Sequence, residues 1–278
     1  MKRLAASLAL LISCLGATST GAAETTVRWI TIPVELKRVV SQEPLETACG
    51  CAAILNCLTF GTPAEQNAVS LMSGMTNAEH LQYLIDNFGK VKSGFYPEGD
   101  RWRPDGICSG DLKDMYNDFR RQAGLEPLKG MFLDRIPQET DKAFLERVHG
   151  LILNSLLQGE PPILHARSEV ARWHQEKNAY LWDGLYSHFI TVIGVPEFVN
   201  PDGSFVVDFL DPQDGGQQEM LVFVDVRNFL APKSSGAKSE WLSDRPFLSA
   251  ACGKLYLKTQ KELFWARSEI YLHYGIFK

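Results

Sequence analysis

The chain has 278 residues, 45% hydrophobic and 22% charged, with a formal net charge of -5. That composition supports a folded core and excludes a disordered chain. There is no surplus of Lys and Arg to neutralise phosphates, so nucleic acid is not an expected partner. No polybasic run points to an anionic membrane surface.

The first 23 residues read as a segment of their own. Lys2 and Arg3 open it, Leu4 to Leu15 is apolar or small, and Gly16 to Ala23 is small and weakly polar. This is the three-part pattern of a secretory signal peptide, with cleavage expected after Ala23 and the mature domain spanning 24–278. The apolar run is too short for a permanent membrane span, and no transmembrane helix is expected in the mature chain. The expected location is therefore periplasmic or secreted. Leu11-Ile-Ser-Cys14 also fits a lipoprotein signal, which would anchor the protein through a lipid on Cys14 instead. Export implies an oxidising compartment. Six cysteines less Cys14 leave Cys49, Cys51, Cys57, Cys108 and Cys252, an odd number that points to one free thiol. Cys51 and Cys57 share a predicted helix and lie about 9 Å apart along it, too far to bridge each other.

In chain order, Val27 to Val39 alternates apolar and polar residues and reads as an extended arm. Cys49 to Phe60 has helical spacing, with Gly61 and Pro63 at its end. Its low polarity predicts a buried helix. Thr62-Pro-Ala-Glu65 and Thr76-Asn-Ala-Glu79 read as capping boxes opening helices over about 63–73 and 77–88. Lys90 to Gly110 is rich in Gly and Pro and reads as loop. Helices are predicted over 111–123 and 140–157. Segments 162–166, 189–193, 205–210, 220–224, 254–258 and 270–274 then read as strands. Pro232 to Ser239 reads as a polar loop. Helices first and strands after them define an α+β architecture in one domain: a helical N-terminal half, with a buried helix packed on an antiparallel sheet from the C-terminal half.

One constellation carries chemistry. Thiol hydrolysis needs a cysteine held as thiolate, a histidine paired with it, a third group to orient the histidine, and donors for the oxyanion. Cys49 stands where a helix begins, at the positive end of its dipole, which lowers a thiol's pKa. Gly50 is expected to leave room for a substrate carbonyl, and Gln42 offers a side-chain amide to the oxyanion. His188 opens a strand, and the next strand ends at Asp211-Pro212. Antiparallel pairing would set His188 beside Asp211. Cys51 is the rival nucleophile but lies inside the helix. His165 and His273 read as core or surface histidines, and Asp208 and Asp214 sit mid-strand and in a turn. Gly106-Ile-Cys108-Ser-Gly110 has the spacing of a nucleophile elbow without the buried strand that motif requires. Trp173, Tyr180, Trp182 and Tyr186 could line a peptide cleft or simply pack at the surface. No phosphate loop or zinc-ligand pattern is present, and the chemistry calls for no metal or organic cofactor.

The segment from Gln42 through Cys49-Gly-Cys-Ala-Ala53 resembles the Gln…Cys-Gly-x-Ala opening of papain-like cysteine peptidases, most closely the double-glycine-leader (bacteriocin-processing) group. Gly159-Glu-Pro-Pro-Ile163, His188-Phe-Ile-Thr-Val-Ile-Gly194 and Asp211-Pro212 are similar to that group's second half, in the same order. The resemblance implies a papain-like fold and a cysteine peptidase acting on a peptide or protein substrate. Cys49 would be nucleophile, His188 base, Asp211 orienter and Gln42 the oxyanion-hole amide. Two features depart from the group: Gln42 and Cys49 are seven positions apart, one more than usual, and the stretch between Cys49 and His188 is much longer. Phytochelatin synthases open in a similar way, which leaves a hydrolase or transferase acting on glutathione-type peptides as one alternative. The other is a catalytically silent domain that binds a peptide or protein, with Cys49 tied up in a disulfide.

Overall fold

In the computed structural model, residues 27–72, 74–174, 176, 179–224, 248–252 and 268–278 are described, with backbone alone at 169–174, 179–186 and 268–271. The expected signal segment with Cys14, the polar loop 232–239 and the expected strand 254–258 lie outside these residues.

The arm begins as β1 (Trp29–Thr31) and makes a short 3-10 turn at Leu36–Arg38. Helix α1 (Cys49–Phe60) follows, then α2 (Pro63–Val69) with a 3-10 turn at Ser70–Met72, and α3 (Asn77–Leu84), which ends in a π-turn at Ile85–Gly89. A two-residue ribbon, β2 (Trp102–Arg103) and β3 (Gly106–Ile107), interrupts the loop before α4 (Ser109–Gln122). Strand β4 (Lys129–Phe132) and helix α5 (Asp141–Leu157) complete the helical part. The strands β5 (Ile163–His174), β6 (Ala179–Pro196), β7 (Phe205–Asp211), β8 (Gly216–Val224), β9 (Leu248–Ala251) and β10 (Ser268–Phe277) make up the rest.

The chain is thus α+β, with five α-helices and one eight-stranded antiparallel sheet among the described residues. The sheet runs β6-β5-β10-β9-β8-β7, and β7 pairs back onto β6 through Thr191–Leu210 and Val192–Phe209, so six strands close a ring. Closure leaves no free edge between these strands. Strand β1 extends β6 at Trp29–Pro196, and β4 adds to β10. Strands β5 and β6 run well beyond the apolar runs at 162–166 and 189–193, because their outer halves pair with each other as a long ribbon from Arg167–Ser187 to His174–Ala179. β4 and β9 carry no alternation strong enough to be read from four residues.

The local signals explain why the helices start where they do. Thr62 and Thr76 each accept from the backbone three residues on, and Glu65 and Glu79 reach back, completing both capping boxes. Thr140 caps α5 and the Cys108 sulfur caps α4. α1 is the exception: its N-cap is Ala48, with no side chain satisfying the first N–H groups.

Two apolar clusters flank the sheet. Phe144, Val148 and Ile152 of α5 pack with Ile190, Phe205, Val207, Phe209 and Val222. Ala52, Ile54, Leu55 and Leu58 of α1 pack with α3, α4 and with Ile163, Phe189 and Ile276 of the sheet. α1 is buried on every side, so its position is set by tertiary packing. Three contacts then fix its register. The Thr191 hydroxyl donates to the Ala53 carbonyl at 3.1 Å, tying α1 to β6. The Asn56 amide both accepts from and donates to the backbone of Val40 at 2.8 and 3.0 Å, tying α1 to the arm. The Gln42 N–H donates to the Pro212 carbonyl at 2.7 Å, tying the arm to the end of β7. Buried Arg120 holds Glu65 and, at 3.4 Å, Glu160, which joins α4 to α2 and to the entry of β5.

Candidate active site

These ties converge on one place. Cys49 is the first residue of α1, His188 lies in β6 and Asp211 ends β7. The fold brings all three together. The imidazole Nε2 of His188 donates to Asp211 Oδ1 at 2.6 Å, and His188 is hydrogen-bonded to the Cys49 side chain. With Nε2 engaged by the carboxylate, Nδ1 is the nitrogen left for the sulfur. His188 is wholly buried and Asp211 nearly so, while Cys49 remains partly exposed.

The electrostatics follow from these contacts. Burial pushes the Cys49 thiol up, but the His188 hydrogen bond and charge, together with the N–H groups of Phe189 and Gly50, hold it below the ordinary thiol value. The uncapped start of α1 makes a free Gly50 N–H available to the sulfur. Burial pulls His188 down, yet the hydrogen bonds to Asp211 and Cys49, with their charges, raise it to about 9. Asp211 is pushed up by burial and down by more: His188, then the Gln213 N–H and the Gln218 side chain hold its carboxyl below the usual value. The arrangement therefore favours a thiolate–imidazolium pair at neutral pH.

The other cysteines differ in kind. Cys51 and Cys57 are fully buried in α1, and burial drives both thiols far above their ordinary value. Cys108 is raised to about 11, by burial and by Asp111, to which its sulfur donates at 3.2 Å. It acts as a helix cap. The five described cysteines are all free thiols, so Cys49 is not in a disulfide.

Gln42 lies 4% exposed beside the same cleft. Its Nε2 donates to the Glu46 carbonyl at 2.8 Å and faces Gln213 Oε1 at 3.5 Å, a weak second contact, while its own Oε1 is buried without a partner. The second amide proton is thus loosely held. Gly50 does not open the cleft as expected. A Cβ there would stand 2.9 Å from Leu112 Cδ1 and 3.0 Å from Ile107 Cγ2, so the residue is small to admit α4 and β3, not substrate. Asp208 pairs with Gln217 at 2.6 Å, and Asp214 accepts from the Gly216 N–H at 2.8 Å in a turn.

A cavity of about 260 Å³ opens at Cys49, lined by Gln42, Glu46, Thr47, Asp105, Ile107, Ser187 and Phe189 among others. The 90–110 loop thus supplies one wall, through β3. A larger cavity of about 500 Å³ between Lys37, Leu55, Val69 and His80 contains neither Cys49 nor His188. The side chains of Trp173, Tyr180, Trp182 and Tyr186 lie outside the described residues.

Sequence reasoning missed two parts of the site. Gln218 Nε2 donates to Asp211 Oδ2 at 3.1 Å, and the Gln213 N–H donates to Oδ1 at 2.8 Å, so both carboxylate oxygens are held. The signal was faint: Gln218 is a buried polar residue directly across from Phe209 in the ladder. Ser187, next to His188 in β6, also lines the cavity, and a lone serine beside a histidine carries no signal of that in the sequence. Among the described residues no group of three or more His, Cys, Asp or Glu side chains could hold a metal ion, and no helix is long and apolar enough to cross a membrane. No protein-family profile and no curated protein matches this chain.

Proposed function

We propose that the protein is a thiol hydrolase of the Cys-His-Asp type. Within that class we assign it as a papain-like cysteine peptidase that cleaves a peptide bond through a thioester on Cys49. The observation that carries this reading is the line of contacts from the Cys49 sulfur through His188 to Asp211, with the thiol lowered and the imidazole raised. The division into a helical part bearing the nucleophile and an antiparallel sheet bearing the base supports the papain-like assignment, as do Gln42 and the Cys49-Gly50 sequence. The pattern of residues 1–23 supports export.

The chemistry runs as follows. The Cys49 thiolate adds to the substrate carbonyl. The oxyanion is held by the Cys49 N–H and by the loosely held Gln42 amide proton. Collapse breaks the C–N bond, and the His188 imidazolium gives its proton to the leaving amine. Neutral His188 then takes a proton from water as it attacks the thioester, and collapse releases the acid and the Cys49 thiolate beside the His188 imidazolium, which restores the starting pair. Asp211 keeps the Nε2 proton in place throughout, so Nδ1 makes each transfer.

The test is a peptide-library digest with wild type and Cys49→Ala in parallel, together with iodoacetamide labelling of the native protein near neutral pH. The expected result is cleavage by wild type alone, slower by on the order of 10⁶-fold in the variant, with Cys49 as the labelled residue. Equal products from the two proteins, or an unreactive Cys49, would falsify the assignment.

A further inference from the structure

A second hydrogen-bonded line runs beside the first and has no place in the mechanism above. His165, on β5, is buried and bonded at both ring nitrogens: Nδ1 to Ser109 Oγ at 2.7 Å and Nε2 to Ser187 Oγ at 2.5 Å. Its ring stacks on Phe189, with centroids 4.4 Å apart and planes at 22°. It therefore grips both residues that flank His188 on β6. The two ends of the line differ. Ser109, the first residue of α4, is buried, and among the described residues His165 is its one side-chain partner. Ser187 is exposed and lines the cavity at Cys49.

The direction of the protons follows from that difference. A neutral imidazole has one N–H and one acceptor nitrogen. His165 is kept neutral because burial, and then its interactions with His273, Arg167 and His188, hold it well below the ordinary histidine value. If Nδ1 carried the proton, the buried Ser109 hydroxyl would have no acceptor for its own, a cost a buried donor normally avoids. The satisfied arrangement has Ser109 O–H donating to Nδ1 and Nε2–H donating to Ser187 Oγ. Among the described residues the Ser187 proton is then left without an acceptor, and it is free to turn into the cleft.

We infer that Ser187 is a specificity-determining residue that donates a hydrogen bond to a carbonyl oxygen of the bound peptide flanking the scissile bond, with His165 and Ser109 as the positioning residues that hold it in that role. A substrate lacking that carbonyl, such as an amide truncated on that side, would lose the contact. This inference rests on the peptidase reading. It adds a feature that sets the substrate class as an extended peptide rather than a small amide.

The test compares wild type, Ser187→Ala and Ser187→Thr on a peptide cleaved by the wild type, together with iodoacetamide alkylation of Cys49 in each. One neutral hydrogen bond corresponds to a fall of about 3- to 10-fold in kcat/KM for Ser187→Ala, carried mainly by KM. Ser187→Thr should recover most of it, and the alkylation rate should be the same in all three. Nitrogen NMR of the imidazole rings should find His165 as the Nε2–H tautomer. Unchanged kcat/KM in Ser187→Ala, a matching loss in its alkylation rate, or an Nδ1–H tautomer each overturns the inference while leaving the peptidase reading intact. Failure of the wild type to cleave more than Cys49→Ala overturns both.

Discussion

His188 and His165 are neighbours across the β5–β6 ladder, where Ala166 faces His188 and His165 faces Phe189. Both are buried, and burial alone would leave both neutral. Yet one is raised to about 9 and the other is held well below its ordinary value. The difference lies in their partners. His188 is bonded to a carboxylate and a thiol that can each carry negative charge, whereas His165 is bonded to two hydroxyls that cannot, and feels the charges of Arg167 and His188. One strand pair thus builds a charged imidazole and a neutral one side by side. The neutrality of the second protects the charge of the first, since a cation at His165 would repel the imidazolium.

The sharpest way to break this contrast is to remove the carboxylate. Asp211→Asn should lower turnover by on the order of 10² to 10⁴-fold, because the orientation and charge of the base are lost together. It should also bring the titration of His188 down from about 9 toward the 6.5 of an ordinary imidazole, read by NMR of the ring. No movement of that titration would show that burial and the thiol, rather than Asp211, set the base.

Gln42→Ala comes next. Loss of one oxyanion donor is worth about 10²- to 10³-fold in kcat, with the rate of Cys49 alkylation unchanged, because alkylation forms no oxyanion. A parallel fall in alkylation would place Gln42 in support of the thiolate instead.

The pH profile sharpens the comparison without a mutation. A lowered thiol stays ionised below the ordinary cysteine value of 9.0, and a raised imidazole stays protonated up to about 9. Peptide turnover should therefore hold across neutrality and fall as pH rises through about 9, when His188 loses the proton that the proposed mechanism has it give to the leaving group. In Asp211→Asn that alkaline limb should move down. In Ser187→Ala it should stay, since His165 does not titrate in this range. A limb that moves in both variants would mean the two lines of hydrogen bonds are one network.

The smallest effect tests packing. Gly50→Ala puts a methyl against Leu112 and Ile107. It should cost about 1 kcal/mol, a fall in Tm of about 2–4 °C, measured by thermal unfolding, with Cys49 still reactive. A large loss of turnover at unchanged Tm would return Gly50 to the substrate side.

Much of this was written locally. The Thr62 and Thr76 capping boxes, the length of α1 and the missing cap at Ala48 are properties of short segments, because cap hydrogen bonds span three residues and helix spacing repeats every turn. Cys49, His188 and Asp211 could be named from their places at the ends of predicted elements, and Gln42 from the side-chain amide it carries upstream of Cys49. Closure of the ring through β6 and β7, the short strands β4 and β9, the long outer ribbon of β5 and β6, the reason for Gly50 and the grip of Gln218 on Asp211 could not. Each depends on which surfaces meet across tens to hundreds of residues, and a four-residue strand or a lone glutamine has no periodicity to announce its partner. The sequence alone determined where a reactive thiol could stand. Only the tertiary structure decided which imidazole reaches it and which stays neutral, since a histidine's charge is set by the groups that fold around it.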